Sequence, residues 1–238
     1  MSGVEQLLDV QAHDTRADQL RHRLEHLPER AQLVERRAEL AQVLAAEAGG
    51  REERDRLGRE QKRLEDEVAG LDDKAAQVDR TLYSGTVNAP RELQALQDEL
   101  GALARRKSHL EDIELEIMER TEPVDAALAR LDTERAQHQA SIESLERSLA
   151  DNEGGTRRDL ADTEAARTAA AASIDADLLA VYDRLRSQLQ GVAVARLVGT
   201  TCGGCHLGLS AVEVDRIRSA PADAVVHCEE CGRILVHS

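Results

Sequence analysis

Apolar residues recur every three or four positions over much of this chain, and this spacing constrains the fold most strongly. One such series runs over residues 17–82 and a second over residues 93–149. This spacing places an apolar seam along one face of a helix, which is typical of coiled coils. The composition agrees, because the chain has no Phe or Trp while 32% of its residues are charged. An aromatic-rich globular core is therefore excluded for most of the chain.

A short break separates the two series. Residues 83–90 read Tyr-Ser-Gly-Thr-Val-Asn-Ala-Pro. Gly85 suits a left-handed cap at the end of the first helix, and Pro90 suits the first turn of the second. Because the connection is short, the two helices should lie antiparallel. We therefore predict a mostly α-helical chain built on a long antiparallel coiled-coil hairpin with its tip at residues 83–90.

Several residues should weaken the helices of this hairpin. Pro28 should bend the first helix, and the pair Gly49 and Gly50 interrupts its seam. Folding the chain about residues 87–88 places this pair opposite Pro123, so a bend is predicted at residues 49–50 and 123. A second bend is predicted at residues 152–155, Asn-Glu-Gly-Gly. The break at residues 49–50 is interpreted as a register break in a long helix, with a hinge as the alternative.

An Ala-rich helix is predicted over residues 156–190, after the second weak point. By the antiparallel pairing, its last part extends past the start of the first helix. Tyr182 lies in this part, so we expect it to pack against the N-terminal residues or the C-terminal module. His138, in the seam of the second helix, is interpreted as a polar residue that fixes register rather than as a metal ligand.

The four cysteines of the chain form two Cys-x-x-Cys pairs separated by twenty-two residues. The pairs are Cys202 with Cys205 and Cys228 with Cys231. Each pair can supply two thiolates from one tight turn, which together complete a tetrahedral zinc site. A site closed by four thiolates has no open position, so we predict one structural zinc ion. Rubredoxin-like iron and a dithiol redox pair are the alternatives.

The residues around the cysteines read as a small zinc ribbon. Residues 192–201 and 233–236 have strand patterns, and Ser210 with Glu213 forms a capping box for a helix over 211–218. Glycines suit the metal-binding turns because they adopt positive φ, and the sequence offers them at Gly203, Gly204 and Gly232. His206 and His227 flank the inner cysteines as possible replacement ligands. We therefore predict two domains, a hairpin over residues 1–191 and a β-rich zinc ribbon over residues 192–238.

The net charge of −15 weighs against binding to a phosphate backbone. The sequence contains no phosphate-binding loop or nucleophile elbow, so we do not expect an enzyme. It has no apolar run long enough for a membrane span and no secretory signal at its start, so a cytoplasmic location is expected.

These motifs together resemble a bacterial family of coiled-coil hairpin proteins with a C-terminal four-cysteine zinc ribbon. The matching segments are Leu82-Tyr83-Ser84-Gly85, Pro90-Arg91-Glu92-Leu93, the helix of Tyr182, the four cysteines and Cys231-Gly232-Arg233-Ile234-Leu235. Relatives in chlamydiae and epsilonproteobacteria bind the nitrogen-type alternative sigma factor and are linked to flagella, secretion and transcript handling. The resemblance implies a regulatory adaptor whose partner is a sigma factor or another transcription component.

We therefore expect a non-enzymatic adaptor or scaffold that docks protein partners through the tip and the zinc ribbon. The candidate contact residues are Tyr83, Ser84, Gly85, Arg91, and the basic cluster of Arg105, Arg106 and Lys107. The competing interpretation of Tyr83 is that its ring merely closes the seam. A nucleic-acid-binding regulator acting through the ribbon or the basic cluster is the alternative function, and a purely structural spacer is the third.

Overall fold

The computed structural model describes residues 3–221 and 223–236. Four helices come first: α1 (Gly3–Glu25), α2 (Pro28–Tyr83), α3 (Pro90–Ala171) and α4 (Ala176–Gln188). The remaining elements are β1 (Val194–Val198), β2 (Thr201–Cys202), α5 (Ala211–Ser219), β3 (Val226–His227) and β4 (Ile234–Val236). The predicted fold class, a long helical hairpin followed by a small β-rich module, is confirmed. Within the described residues, no helix is long and apolar enough to cross a membrane.

The arms of the hairpin, α2 and α3, pack through the apolar seam that the sequence predicts. A buried cluster joins the arms through Leu57, Leu64, Leu110 and Ile117. Ion pairs flank this seam, for example Lys107 Nζ with Asp72 Oδ1 at 2.7 Å. The two partners of each pair lie at nearly equal sequence distances from the tip, so the chain folds back close to the predicted residues 87–88. The antiparallel register therefore follows the short connection, as expected.

Helix α2 runs without interruption through Gly49 and Gly50, so the weak point predicted there does not end the helix. A Cβ atom on Gly50 would lie 2.9 Å from Leu128 Cδ2. Glycine at this position therefore lets the two helix backbones approach closely rather than ending the helix. Pro123 likewise lies inside the continuous helix α3. The bend expected at this height stays a prediction.

At the other predicted weak points the helix limits differ from the prediction, while the bend expected at residues 152–155 stays a prediction. Helix α3 continues through residues 152–155 and ends at Ala171, so the single helix predicted over 156–190 is in fact two helices. The second of these, α4, begins after Asp175, whose Oδ1 accepts backbone hydrogen bonds from the first turn. Pro28 does more than bend a helix, because α1 ends before it and α2 begins with it. This is the helix position that proline favours most.

The chain divides into two compact units. One comprises Met1–Ala31 together with Leu145–Ser238, and the other comprises Gln32–Ser144. The first unit includes α1, α4, the β module and the adjoining ends of the hairpin arms, and the second includes the tip. The predicted boundary between residues 191 and 192 stays a prediction about which parts fold independently.

The core of the first unit joins the N-terminal helix to the β module, as expected for Tyr182. The Tyr182 side chain is fully buried among residues of α1, α4 and the sheet. Gln11 on α1 makes a further polar attachment to β1. Its Oε1 accepts the backbone N–H groups of Ala193 and Val194, both at 2.7 Å, and its Nε2 donates to the Val194 carbonyl at 2.8 Å. One side chain thus satisfies three backbone groups next to the sheet.

The sheet of the β module has the strand order β2-β1-β4-β3. Strand β1 pairs antiparallel with β2 and parallel with β4, and β3 pairs antiparallel with β4. The single strand predicted over residues 192–201 is therefore a short hairpin that turns at Gly199, with φ of 64°. The predicted helix after Ser210 is confirmed as α5, whose Glu213 N–H donates to Ser210 Oγ at 3.2 Å.

Candidate metal centre

The two predicted cysteine pairs converge at one end of the β module. All four Sγ atoms lie within 4.8 Å of one another. Cys202 Sγ lies 3.9 Å from Cys231 Sγ, and Cys205 Sγ lies 4.0 Å from Cys228 Sγ. A tetrahedral zinc ion with ordinary Zn–S bonds holds its sulfurs about 3.8 Å apart. The donor set and its spacing therefore fit a four-thiolate zinc ion.

Both cysteine pairs lie on turns of the same backbone design. The N–H of His206 donates to the Cys202 carbonyl at 2.8 Å, and the N–H of Gly232 donates to the Cys228 carbonyl at 2.9 Å. In each turn the donor is the residue after the second cysteine, and it has a left-handed conformation. The φ angles are 62° at His206 and 72° at Gly232. The positive φ predicted for Gly232 is confirmed.

The positive φ predicted for Gly203 and Gly204 is wrong, because His206 takes that role in the first turn. Glycine is needed at these two positions because neighbouring atoms leave no room for a Cβ atom. A Cβ atom on Gly203 would lie 2.9 Å from the Arg196 carbonyl oxygen, and one on Gly204 would lie 2.5 Å from Arg233 Cδ. The first turn therefore packs directly against β1 and against the residue that precedes β4. Such contacts depend on tertiary structure and leave no local sequence signal.

The thiols differ in how readily they ionise. Burial raises the pKa of the Cys228 thiol to about 12. Burial also opposes ionisation of Cys231, but hydrogen bonds from the backbone and side chain of Arg233 lower its pKa to about 7. A closely spaced group of partly buried thiols does not ionise fully without a compensating cation. Binding of a divalent metal supplies this charge and deprotonates the thiols.

Besides its part in the capping box of α5, Glu213 stabilises the second cysteine turn. This side chain on α5 is buried, with 6% exposure. Its Oε1 accepts the backbone N–H of Glu229, between Cys228 and Cys231, at 3.2 Å. The carboxylate therefore fixes the turn that presents these two thiols. The sequence singled out Glu213 only as part of a capping box.

The flanking histidines do not join the thiol cluster in the described part of the chain. His227 Nδ1 donates to the Gly232 carbonyl at 3.0 Å, which orients the ring within the second turn. His206 is exposed. The four cysteines therefore form the complete ligand set, as predicted.

Comparison with known families places both parts of the chain. Residues 201–235 match the C4-type zinc ribbon domain, and residues 10–190 match the CT398-like coiled coil hairpin domain. The chain belongs to the CT398-like coiled-coil hairpin family. Together with the sulfur geometry, the ribbon match assigns one structural zinc ion to the four cysteines. With four protein ligands this zinc has no position for a reactive water.

Related proteins share the full architecture of this family. The Mycobacterium tuberculosis proteins named "Uncharacterized protein MT2288" and "Uncharacterized protein Rv2229c" are each 32% identical over 234 residues. Each alignment covers 97% of this chain and 93% of the relative. Each alignment therefore spans both the hairpin and the ribbon.

Solved structures of similar fold include proteins from three bacteria. A protein from Mycobacterium smegmatis superposes with a TM-score of 0.80 at 24% identity, over 99% of this chain and 97% of its own. CT398 from Chlamydia trachomatis gives 0.52 at 21% identity, with 99% and 98% covered. The HP0958 protein from Helicobacter pylori gives 0.51 at 16% identity, with 99% and 97% covered. At these identities the likeness establishes a shared fold.

The predicted tip residues of this CT398-like hairpin lie on an ordered turn. Gly85 has φ of 75°, which confirms the left-handed cap. Ser84 Oγ donates to the Thr81 carbonyl at 2.8 Å and accepts the Thr86 N–H at 3.2 Å. The Tyr83 side chain is 79% exposed, so the interpretation that its ring closes the seam is wrong. Arg91 is exposed in the first turn of α3.

The predicted basic cluster lies further along α3 and is largely paired with acidic residues. Lys107 Nζ lies 2.7 Å from Asp72 Oδ1 and 3.8 Å from Glu111 Oε1. Arg106 Nη2 lies 3.8 Å from Glu67 Oε2. Arg105 is exposed beside them. The cluster therefore contributes to the surface of the hairpin arms and offers little unneutralised positive charge.

Proposed function

We propose that this protein is a non-enzymatic cytoplasmic adaptor that docks protein partners through its hairpin tip and its zinc ribbon. The observation that carries the proposal is the exposure of Tyr83 on the ordered turn of residues 83–90. The zinc ion maintains the ribbon and takes no part in a reaction.

Tyr83 has the properties of a binding anchor. Tyrosine buries a large area on contact and loses few side-chain rotamers, so it is enriched in the residues that dominate binding energy. The hydrogen bonds of Ser84 and the left-handed Gly85 hold the backbone beside it. A partner would therefore meet a turn that is already ordered, which lowers the entropic cost of association.

The ribbon supplies the second proposed surface. Its exposed apolar side chains include Val198, Leu207 and Val212, which are 65%, 50% and 81% exposed. The hydrogen bonds of the two cysteine turns and the buried carboxylate of Glu213 fix the backbone of the ribbon. These side chains suit contact with a protein rather than with a phosphate backbone.

The pairing of the ribbon arginines weighs against nucleic acid as the partner. Each arginine contacts an acceptor within the protein: Arg216 with Glu229 at 3.0 Å, Arg218 with the Gly199 carbonyl at 2.9 Å, Arg233 with the Val192 carbonyl at 3.0 Å, and Arg196 with Glu5 at 4.0 Å. A nucleic-acid footprint needs a surplus of accessible positive charge. With a net charge of −15, the chain as a whole lacks this surplus.

The family resemblance guides the choice of the first partner to test. Chlamydial and epsilonproteobacterial members are associated with an alternative sigma factor, so a sigma factor or another transcription component is our first candidate for this chain. Recognition of such a protein would give the adaptor a regulatory role.

The test is a crosslinking pull-down from the native host with the zinc-loaded full-length chain as bait. We expect Tyr83→Ala to reduce capture of a specific protein by about tenfold or more, as anchor residues do. The matched control is Val34→Ala, because Val34 is also an apolar residue that is 71% exposed on α2. The control should retain the partner in full.

Two further conditions separate the alternative functions. Nuclease treatment and a salt series identify a nucleic-acid partner, because such binding weakens steeply with salt. Capture that survives nuclease and moderate salt but fails with Tyr83→Ala supports docking at the tip. Equal capture by the wild type and Tyr83→Ala would remove the tip from the proposal, and capture lost on nuclease treatment would favour the nucleic-acid alternative.

A further inference from the structure

Three potential metal ligands lie together at the end of α1, separate from the ribbon cysteines. They are His22, Glu25 and His26, and all three side chains are exposed. Their ligand atoms lie within 4.8 Å of one another. His22 and Glu25 belong to the last turn of α1, and His26 is the first residue after it. The group therefore surrounds the end of the helix.

A hydrogen bond holds His26 in the tautomer that binds metals. Its Nδ1 lies 2.9 Å from the backbone carbonyl oxygen of His22. A carbonyl oxygen only accepts, so the ring proton is on Nδ1 and the lone pair is on Nε2. Metal-binding histidines commonly donate their other ring N–H to a carbonyl in this way, which fixes the tautomer and the ring orientation.

The two imidazole rings are stacked face to face at the helix end. The ring centroids of His22 and His26 are 4.1 Å apart with 29° between the planes, and the hydrogen bond from His26 Nδ1 to the His22 carbonyl holds this ring against the last turn of α1. Glu25 adds an anionic oxygen beside them. The C-terminal end of a helix also carries partial negative charge, which favours a bound cation.

From this arrangement we propose that His22, Glu25 and His26 form a second, exchangeable metal site for a divalent transition ion such as Zn²⁺ or Ni²⁺. Imidazole nitrogens favour these ions over Mg²⁺ and Ca²⁺, which prefer oxygen ligands. Metal–nitrogen bonds of about 2.0–2.1 Å need ligand atoms about 3.4 Å apart in a tetrahedral shell. The ligand atoms must therefore come closer and the His22 ring must turn out of the stack so that one ion lies in both ring planes, which the exposure of the side chains permits. Water fills the remaining positions.

Metal binding here would stabilise the joint between α1 and α2. The ligands join the last turn of α1 to the residue that follows it, and Pro28 begins α2 only two residues later. An ion held by all three side chains would restrain fraying of this helix end. Binding to the folded state alone stabilises it by linkage, so the backbone amides of residues 22–30 should exchange more slowly when the metal is present.

The test is equilibrium dialysis of tag-free, full-length protein against Ni²⁺, with elemental analysis of both nickel and zinc. We expect one Ni²⁺ per chain in addition to the retained ribbon zinc. His26→Ala and His22→Ala should each weaken Ni²⁺ binding by about tenfold or more, since even indirect partners of metal ligands contribute about 10–100-fold. Glu25→Gln should weaken it less. His109→Ala, at an exposed histidine on α3, is the matched control and should bind as the wild type does.

One control and three results that would overturn the proposal complete the test. Helical content measured by circular dichroism ensures that each variant is folded before its affinity is compared. Nickel binding only by displacement of the ribbon zinc would leave no second site. Unchanged Ni²⁺ affinity in the double variant His22→Ala with His26→Ala would show that the nickel binds elsewhere. Equal affinity for Mg²⁺ at this helix end would contradict the ligand assignment.

Discussion

The two tyrosines of the chain occupy opposite environments. Tyr182 is fully buried in the core that joins α1, α4 and the sheet, whereas Tyr83 is 79% exposed at the hairpin tip. They are the only aromatic residues apart from histidine. The same residue type is therefore part of the core in one region and solvent-exposed in the other.

Polar contacts reinforce this difference. Tyr182 Oη donates to Asp14 Oδ2 at 2.8 Å, and the same carboxylate lies 3.2 Å from Arg167 Nε and 3.6 Å from Arg186 Nε. Around Tyr83, the hydrogen bonds described above order the backbone of the turn and leave the ring exposed. We therefore expect changes near Tyr182 to reduce folding stability, and changes at the tip to reduce partner binding instead.

Loss of zinc should produce the largest effect, and it should be confined to the unit of Tyr182. Chelation or Cys228→Ser removes an ion whose binding contributes on the order of 10 kcal/mol in small zinc modules. Residues 192–236 should then lose amide-exchange protection, while residues 32–144 stay protected and helical. Val212→Ala, at an exposed ribbon residue, should keep full zinc content. Protected ribbon amides in zinc-free protein would contradict the prediction.

Substitution of the two tyrosines tests the comparison directly. Tyr182→Ala removes a fully buried ring and should lower the free energy of unfolding by about 3–5 kcal/mol. Tyr182→Phe retains the ring but removes the hydrogen bond to Asp14, so it should cost about 1–2 kcal/mol. Tyr83→Ala should stay within about 0.5 kcal/mol of the wild type. Denaturant unfolding measures all three, and equal losses at both sites would refute the distinction.

Alkaline pH should destabilise the core around Tyr182. Burial, together with the hydrogen bond to Asp14, raises the pKa of Tyr182 well above its usual value. Because the folded state holds this proton more tightly than the unfolded state, the stabilisation is complete below about pH 10 and falls as the pH rises further. Tyr182→Phe has no such proton, so its stability should decline less steeply above pH 10. Parallel declines in both proteins would contradict this origin.

Local chemistry explains what the sequence could predict. The seam periodicity gave the hairpin, Gly85 and Pro90 gave the limits of the tip, and the cysteine spacing gave the metal centre. Each of these signals lies within a few neighbouring residues or within one repeating pattern. Local sequence is enough to predict that Cys202 is a metal ligand and that Tyr83 lies at the tip. The exposure of the Tyr83 ring depends on tertiary structure, which local sequence does not determine.

Long-range contacts explain what the sequence missed. Gln11 attaches to β1, 183 residues further along the chain, and no local pattern indicates this partner. The same holds for Gly50, which contacts Leu128 across the hairpin, and for the glycines of the first cysteine turn. The sequence predicts weak points at the glycine pairs because glycine has low helix propensity. Packing along the hairpin outweighs that preference in α2 and α3.

A small stability effect is expected at the tip glycine, and it sharpens the comparison furthest. Gly85 has φ of 75°, and a Cβ atom placed there would meet nothing within 4 Å. Gly85→Ala should therefore cost about 1 kcal/mol, from backbone strain alone. Gly70→Ala is the matched control, because Gly70 also has open space but lies within helix α2.

Alanine favours a helix over glycine, so Gly70→Ala should instead stabilise the protein by roughly 0.5–1 kcal/mol. Opposite signs in denaturant unfolding would establish that the tip turn depends on its left-handed glycine. If the tip is the docking surface, Gly85→Ala should also weaken partner capture beyond its small effect on folding, because it displaces the backbone that presents Tyr83. Gly70→Ala should leave capture unchanged. A loss of capture in both variants would trace the effect to the hairpin as a whole rather than to its tip.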